Sequence, residues 1–111
     1  MEEKIYTIEE IKEKIDPIAV KYHLHAVFIF GSYATGTATS ASDIDFIVDT
    51  TGSKINSLLE LGGLYSELEE TFCKRIDMIT LRSLEQPTTM QSDIEFRTRV
   101  TKERINLYEA A

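Results

Sequence analysis

The sequence is poor in cysteine, in positive charge and in long apolar runs, and each shortage excludes something. With one cysteine, Cys73, among 111 residues no intrachain disulfide can form, and no cysteine or histidine cluster lies near it to make a zinc site. A reducing, cytoplasmic setting is expected. Twelve Lys and Arg against nineteen Asp and Glu give a formal net charge of -7. That suits a nucleic-acid backbone badly, because affinity there comes largely from cations that displace condensed counterions. Long DNA or RNA is not an expected partner. No apolar stretch approaches the roughly 18 residues that span a bilayer. The opening MEEKIYTIEE lacks the basic and then apolar segments of a secretion signal, so no membrane association is expected. Repeats and low-complexity tracts are also missing.

What is present suits a single small α/β (α+β) domain over residues 1–111. A hydrophobic content of 42% can bury one core and leaves no length for a second, substrate-holding domain. Thr7 and Glu10 have the form of a capping box, and Ile8, Ile11 and Ile15 recur at helical spacing. Pro17 is then expected to kink that helix or restart it. The run from Ala26 to Phe30 reads as a buried strand that turns at Gly31. A short helix and loop follow, then a second strand over 43–48, a helix over 55–73 and a third strand over 75–80. Gly62 and Gly63 are expected to permit close packing, and Cys73 to be buried. In the tail, Ser92 and Glu95 suggest a helix start, although Ile94, Phe96, Thr98 and Val100 also alternate as in a strand; helix and then a last strand over 105–108 is the favoured reading. Together these elements predict a mixed β-sheet packed against helices.

The segment FGSYATGTATSASDIDFIVD, residues 30–49, carries the chemistry. Gly31 lets backbone pass close to a ligand, and Ser32 adds a hydroxyl where helix-start amides can receive phosphate oxygens. Asp43 and Asp45, two apart on a strand, send their carboxylates to one face while Ile44, Phe46 and Val48 face the core. Hard divalent cations such as Mg²⁺ prefer such oxygens, and a pair of ions about 3.5 to 4 Å apart clamps the attacking and leaving oxygens of an in-line displacement. Clustered carboxylates holding metal also reverse the local field, so an acidic chain can still take a triphosphate. Asp77, the charged residue within the apolar run Ile76–Ile79, is the third candidate ligand, since an unpaired charge in an apolar strand is costly. An ion pair with Lys74 or Arg75 is the structural alternative. Asp93 and Glu95, His23 and His25, and the acidic run around Glu67, Glu69 and Glu70 read as helix start, strand boundary and solvated face.

A Gly-Ser turn after an apolar strand, then Asp-x-Asp, then a strand-borne Asp resembles the DNA polymerase beta nucleotidyltransferase superfamily. More narrowly, FGSYATG, SDIDFIVD, RIDMITLRSL and INLYE are similar to the minimal nucleotidyltransferases (MNT) of bacteria and archaea, over most of the chain. The resemblance implies the nucleotidyltransferase fold, with Gly31 and Ser32 as the triphosphate-binding turn. It implies Asp43 and Asp45 as metal ligands, and Asp77 as third carboxylate and acceptor of the substrate's proton. It implies Mg²⁺, as two ions, and ATP as cofactors. Many MNT proteins carry Arg where this chain has Thr35, and Lys54, Lys74, Arg75 or a partner's residue are the candidates for replacing that charge.

The implied role is that of an antitoxin that transfers AMP to a tyrosine of a HEPN-domain toxin, its protein partner, in a homo- or hetero-oligomer. Two further readings remain open: an inactive module that neutralises its partner by binding alone, and transfer to a small molecule in a pocket completed by a dimer mate or companion chain.

Overall fold

The computed structural model describes residues 4–111. Its first helix, α1 (Ile8–Tyr22), starts where the sequence places it: the Thr7 side chain accepts from the Glu10 amide, and the Glu10 carboxylate accepts from the Thr7 amide at 2.8 Å. Pro17 neither ends the helix nor starts a fresh one, since α1 runs through it from Ile8 to Tyr22. It lies on the exposed side, where water can satisfy the carbonyl it leaves unpaired, while Ile11, Ile15, Ile18 and Ala19 keep one buried stripe across it. Continuous burial on the inner face outweighs one lost hydrogen bond on the outer.

The strands β1 (Ala26–Phe30), β2 (Ile44–Asp49), β3 (Ile76–Thr80) and β4 (Ile105–Glu109) form one sheet in the order β3-β2-β1-β4. β1 runs antiparallel to both β2 and β4, whereas β2 and β3 are parallel. A parallel pair needs a crossover, and α3 (Leu58–Phe72) supplies it. The fold is therefore the mixed sheet with packed helices that the sequence predicts. β2 follows from its composition: Ile44, Phe46 and Val48 enter the main core with Ile11, Ile15, Leu64, Leu68, Phe72 and Leu107. Full burial of each such side chain stabilises by roughly 1.5–3 kcal/mol. On the opposite face Ile47 packs with Phe30 and Val100, under α4 (Leu81–Leu84) and α5 (Gln91–Glu103).

Several expectations need correction. The helix α5 starts at Gln91 rather than at a Ser92 cap, because Thr88 bridges to Asp93 at 3.0 Å and to the Met90 amide at 3.2 Å. A Cβ on Gly62 or Gly63 would meet nothing within 4 Å, so these glycines serve no close packing. Cys73 is exposed, holding the left-handed end of α3 with φ 53°. Glu67 does not simply face solvent; it accepts from Lys21 Nζ at 3.0 Å and Tyr22 Oη at 2.8 Å, tying α3 to α1. Among the described residues, no helix is long and apolar enough to cross a membrane.

Candidate active site

β1 delivers the chain to Gly31, whose φ of 72° and ψ of -151° are closed to side-chain-bearing residues. A second constraint acts at the same atom. A Cβ on Gly31 would lie 2.2 Å from Asp45 Oδ2, a distance no packing tolerates. The Asp45 carboxylate thus occupies the space beside the turn that a side chain would fill. From Gly31 the chain enters the one-turn helix α2 (Ser32–Thr35), whose start has no side-chain cap. The Thr35 hydroxyl donates to the Gly31 carbonyl at 3.2 Å.

The loop that returns to β2 is held at both ends. The Thr39 amide donates to Ser42 Oγ at 2.9 Å, and Lys74 Nζ donates to the Ser40 carbonyl at 2.8 Å. The Ile44 amide then donates to the Arg75 carbonyl at 3.1 Å and opens the parallel ladder to β3. In that ladder Asp45 is registered against Asp77, and Ile44 against Ile76. Two acidic residues therefore stand side by side on adjacent strands, on the face whose next positions, Ile47 and Ile79, pack under α4 and α5.

The electrostatics follow from this register. Burial raises the Asp45 carboxyl first, then the charge of Asp77, then that of Asp43, and a hydrogen bond with Asp77 adds to them; together they move it from 3.8 to about 6. Like charges crowd here, and among the described residues one cation forms an ion pair with them. That cation is Arg75, whose Nε lies 3.8 Å from Asp43 Oδ1, with its side chain 86% exposed.

Of the five residues singled out from sequence, the structure brings three into contact or register, Gly31 against Asp45 and Asp77 beside Asp45, while Ser32 follows Gly31 at the start of α2. Asp43 precedes β2 and leans toward Arg75. Accordingly, no three acidic, histidine or cysteine side chains among the described residues are already gathered as a metal site. The ionic alternative also changes: Arg75 takes Asp43, Lys74 takes a backbone carbonyl, and Asp77 is exposed on the edge strand β3. Its charge therefore does not carry the cost that an apolar run suggested. Sequence reasoning missed the Asp43–Arg75 contact, although Arg75 stands two residues before Asp77, the spacing that puts two strand residues on one face.

The donor set fits a hard divalent cation. Asp45 and Asp77 offer adjacent carboxylate oxygens whose mutual repulsion a cation would relieve, and Asp43 lies within reach of the same strand end. A cavity of about 540 Å³, lined by Asp49, Thr50, Ile55, Leu81, Arg82 and Glu85 among others, lies elsewhere and includes none of these five residues.

A mixed four-stranded sheet that sets a glycine turn against strand-borne aspartates defines a nucleotidyl-transferring class of enzyme. Residues 13–110 match the family described as polymerase beta, nucleotidyltransferase, and the chain belongs to that family. It is a nucleotidyltransferase. Over 77 residues it is 44% identical to a protein of Methanocaldococcus jannaschii named "putative protein adenylyltransferase", covering 69% of this chain and 81% of that one. Its structure is similar to a toxin-antitoxin crystal structure with AMP-PNP, at a TM-score of 0.66 and 22% identity, covering 89% of this chain and 73% of that one. It is also similar to the complex of a tri-AMPylated Shewanella oneidensis HEPN toxin with its MNT antitoxin, at 0.62 and 19%, covering 94% and 74%. At these identities the structural matches speak for the fold.

Proposed function

We propose that this chain is a Mg²⁺-dependent protein adenylyltransferase that moves AMP from ATP to a tyrosine of a HEPN-domain partner and so acts as its antitoxin. The observation that carries this reading is the pairing of Asp45 with Asp77 against the Gly31 turn. The protein adenylyltransferase name of the Methanocaldococcus relative supports the transfer, and the AMPylated HEPN toxin of the structural neighbour supports the acceptor. A net charge of -7 favours a basic protein surface over nucleic acid, and a lone Cys73 suits a reducing cytoplasm.

In this reading Asp43, Asp45 and Asp77 would hold Mg²⁺, as two ions, which when bound neutralises charge on the attacking and leaving oxygens. Gly31 admits the triphosphate close to backbone, and Ser32 orients it with its hydroxyl and the amides at the start of α2. The acceptor hydroxyl oxygen forms a bond to the α-phosphorus. The bond from that phosphorus to the bridging oxygen breaks, and its electron pair leaves with pyrophosphate. Asp77, exposed beside the site, takes the hydroxyl proton.

Thr35 favours a second reading, because a hydroxyl committed to the Gly31 carbonyl brings no positive charge to the triphosphate. Neutralisation would then rest on binding alone. Co-expression with the partner separates the two. If the double substitution Asp43→Asn, Asp45→Asn abolishes both AMP on the partner, read by intact mass, and rescue of growth, catalysis is required. Persistent rescue without AMP would leave binding as the mechanism.

A further inference from the structure

We propose that Arg75 is the residue that supplies this chain's missing phosphate-binding charge, held in reserve by Asp43 until Asp43 turns to a metal ion. This rests on the reading of Asp43 and Asp45 as metal ligands. Three observations carry it. Thr35 is neutral and bonded into the turn. Of the other cations suggested by sequence, Lys74 is committed to the Ser40 carbonyl at 2.8 Å. Lys54 lines a cavity with Lys21, Tyr22 and Glu60 that includes none of the site residues. Arg75 alone among those candidates touches a site carboxylate, and its backbone is anchored there by the bond from the Ile44 amide.

The contact has the character of a latch rather than a brace. At 3.8 Å through Nε, with the guanidinium side chain 86% exposed and Asp43 42% exposed, it makes neither a bidentate nor a buried pair, and such exposed pairs contribute little stability. Releasing it therefore costs little. An Asp43 oxygen cannot serve Arg75 and a divalent cation equally well, since the two cations repel. Once Asp43 is engaged, Arg75 is a long, exposed guanidinium at the Asp43 end of β2, with the fork geometry that takes two phosphate oxygens at once. The fitting ligand atoms are those of the β- and γ-phosphates, the group that departs as pyrophosphate. Metal and nucleotide binding are thereby coupled through one side chain.

Titration calorimetry of the full chain with Mg²⁺ alone, with ATP plus Mg²⁺ and with AMP plus Mg²⁺ tests this, comparing wild type with Arg75→Gln and Arg75→Lys. Loss of a charged hydrogen-bonding partner is expected to weaken ATP binding by roughly tenfold or more. AMP, which lacks the β- and γ-phosphates, should bind as before, Arg75→Lys should recover part of the loss, and affinity for Mg²⁺ alone should hold or rise because Asp43 loses a competitor. Thermal melts matching wild type would show that the exposed substitution leaves the fold intact. ATP affinity within twofold of wild type, or an equal loss for AMP, overturns the role of Arg75 while leaving the transferase reading in place. If wild type binds neither Mg²⁺ nor ATP, both fall together.

Discussion

Gly31 and Asp45 constrain each other, and the consequences are measurable at both. In Gly31→Ala the backbone would be strained at φ 72° and the methyl group would displace the Asp45 carboxylate. A cost of about 1–3 kcal/mol is expected from the strained conformation alone, read by urea denaturation, together with loss of ATP binding. An unchanged midpoint would show that the turn is not built as described. Asp45 makes a prediction in pH. Its carboxyl binds a proton more readily in the folded chain, near 6, than at its ordinary 3.8. Between those values the folded state therefore holds more protons than the unfolded state, and metal-free stability falls as pH rises through that window. Asp45→Asn should flatten this slope and raise the melting temperature in EDTA near neutral pH. Melts taken from pH 4 to 7 that show no difference between the two proteins would contradict the crowding of charge at this site.

The element boundaries show which physical signals a sequence carries openly. Helix α1 was legible because the capping box at Thr7 and Glu10 is local chemistry. Thr7→Ala should cost about 1 kcal/mol, and a fall of several degrees in the melting temperature would register it. The strands β1, β2 and β3 were legible from apolar runs ended by glycine or interrupted by aspartate. Pro17 misled because its effect depends on whether the helix surface it occupies meets solvent, which only packing decides. The short helix α4 went unread for a similar reason: its cap, the Thr80 hydroxyl accepting from the Ser83 amide at 3.2 Å, belongs to the last residue of β3. Gly62 and Gly63 suggested close packing, but their environment depends on tertiary contacts that spacing does not encode. At the core the packing is less forgiving. Phe46, fully buried against Phe72 with ring centroids 5.7 Å apart, should cost about 3–5 kcal/mol on truncation to alanine, enough to leave the isolated chain largely unfolded if its stability is ordinary.

In the molecule as a whole, the parallel pairing of β2 with β3 turns a sequence separation of 32 residues into one cross-strand step, Asp45 beside Asp77. The aspartate spacing and the Gly-Ser turn were legible as separate motifs, and their convergence follows from topology. The state of Asp43 was not legible, because its partner Arg75 lies distant in sequence, just before β3. Acidic overall and locally crowded with carboxylates at Asp45 and Asp77, the chain has the charge that the proposed cation would neutralise. ATP labelled at either the α- or the γ-phosphate, incubated with Mg²⁺, this chain and the HEPN-domain partner proposed for it, tests the proposed transfer most directly. The expected result is partner protein labelled from the α-phosphate only, with pyrophosphate released and all labelling lost in Asp43→Asn, Asp45→Asn. Label arriving from the γ-phosphate, or none from the α-phosphate while the partner is still neutralised, would contradict it.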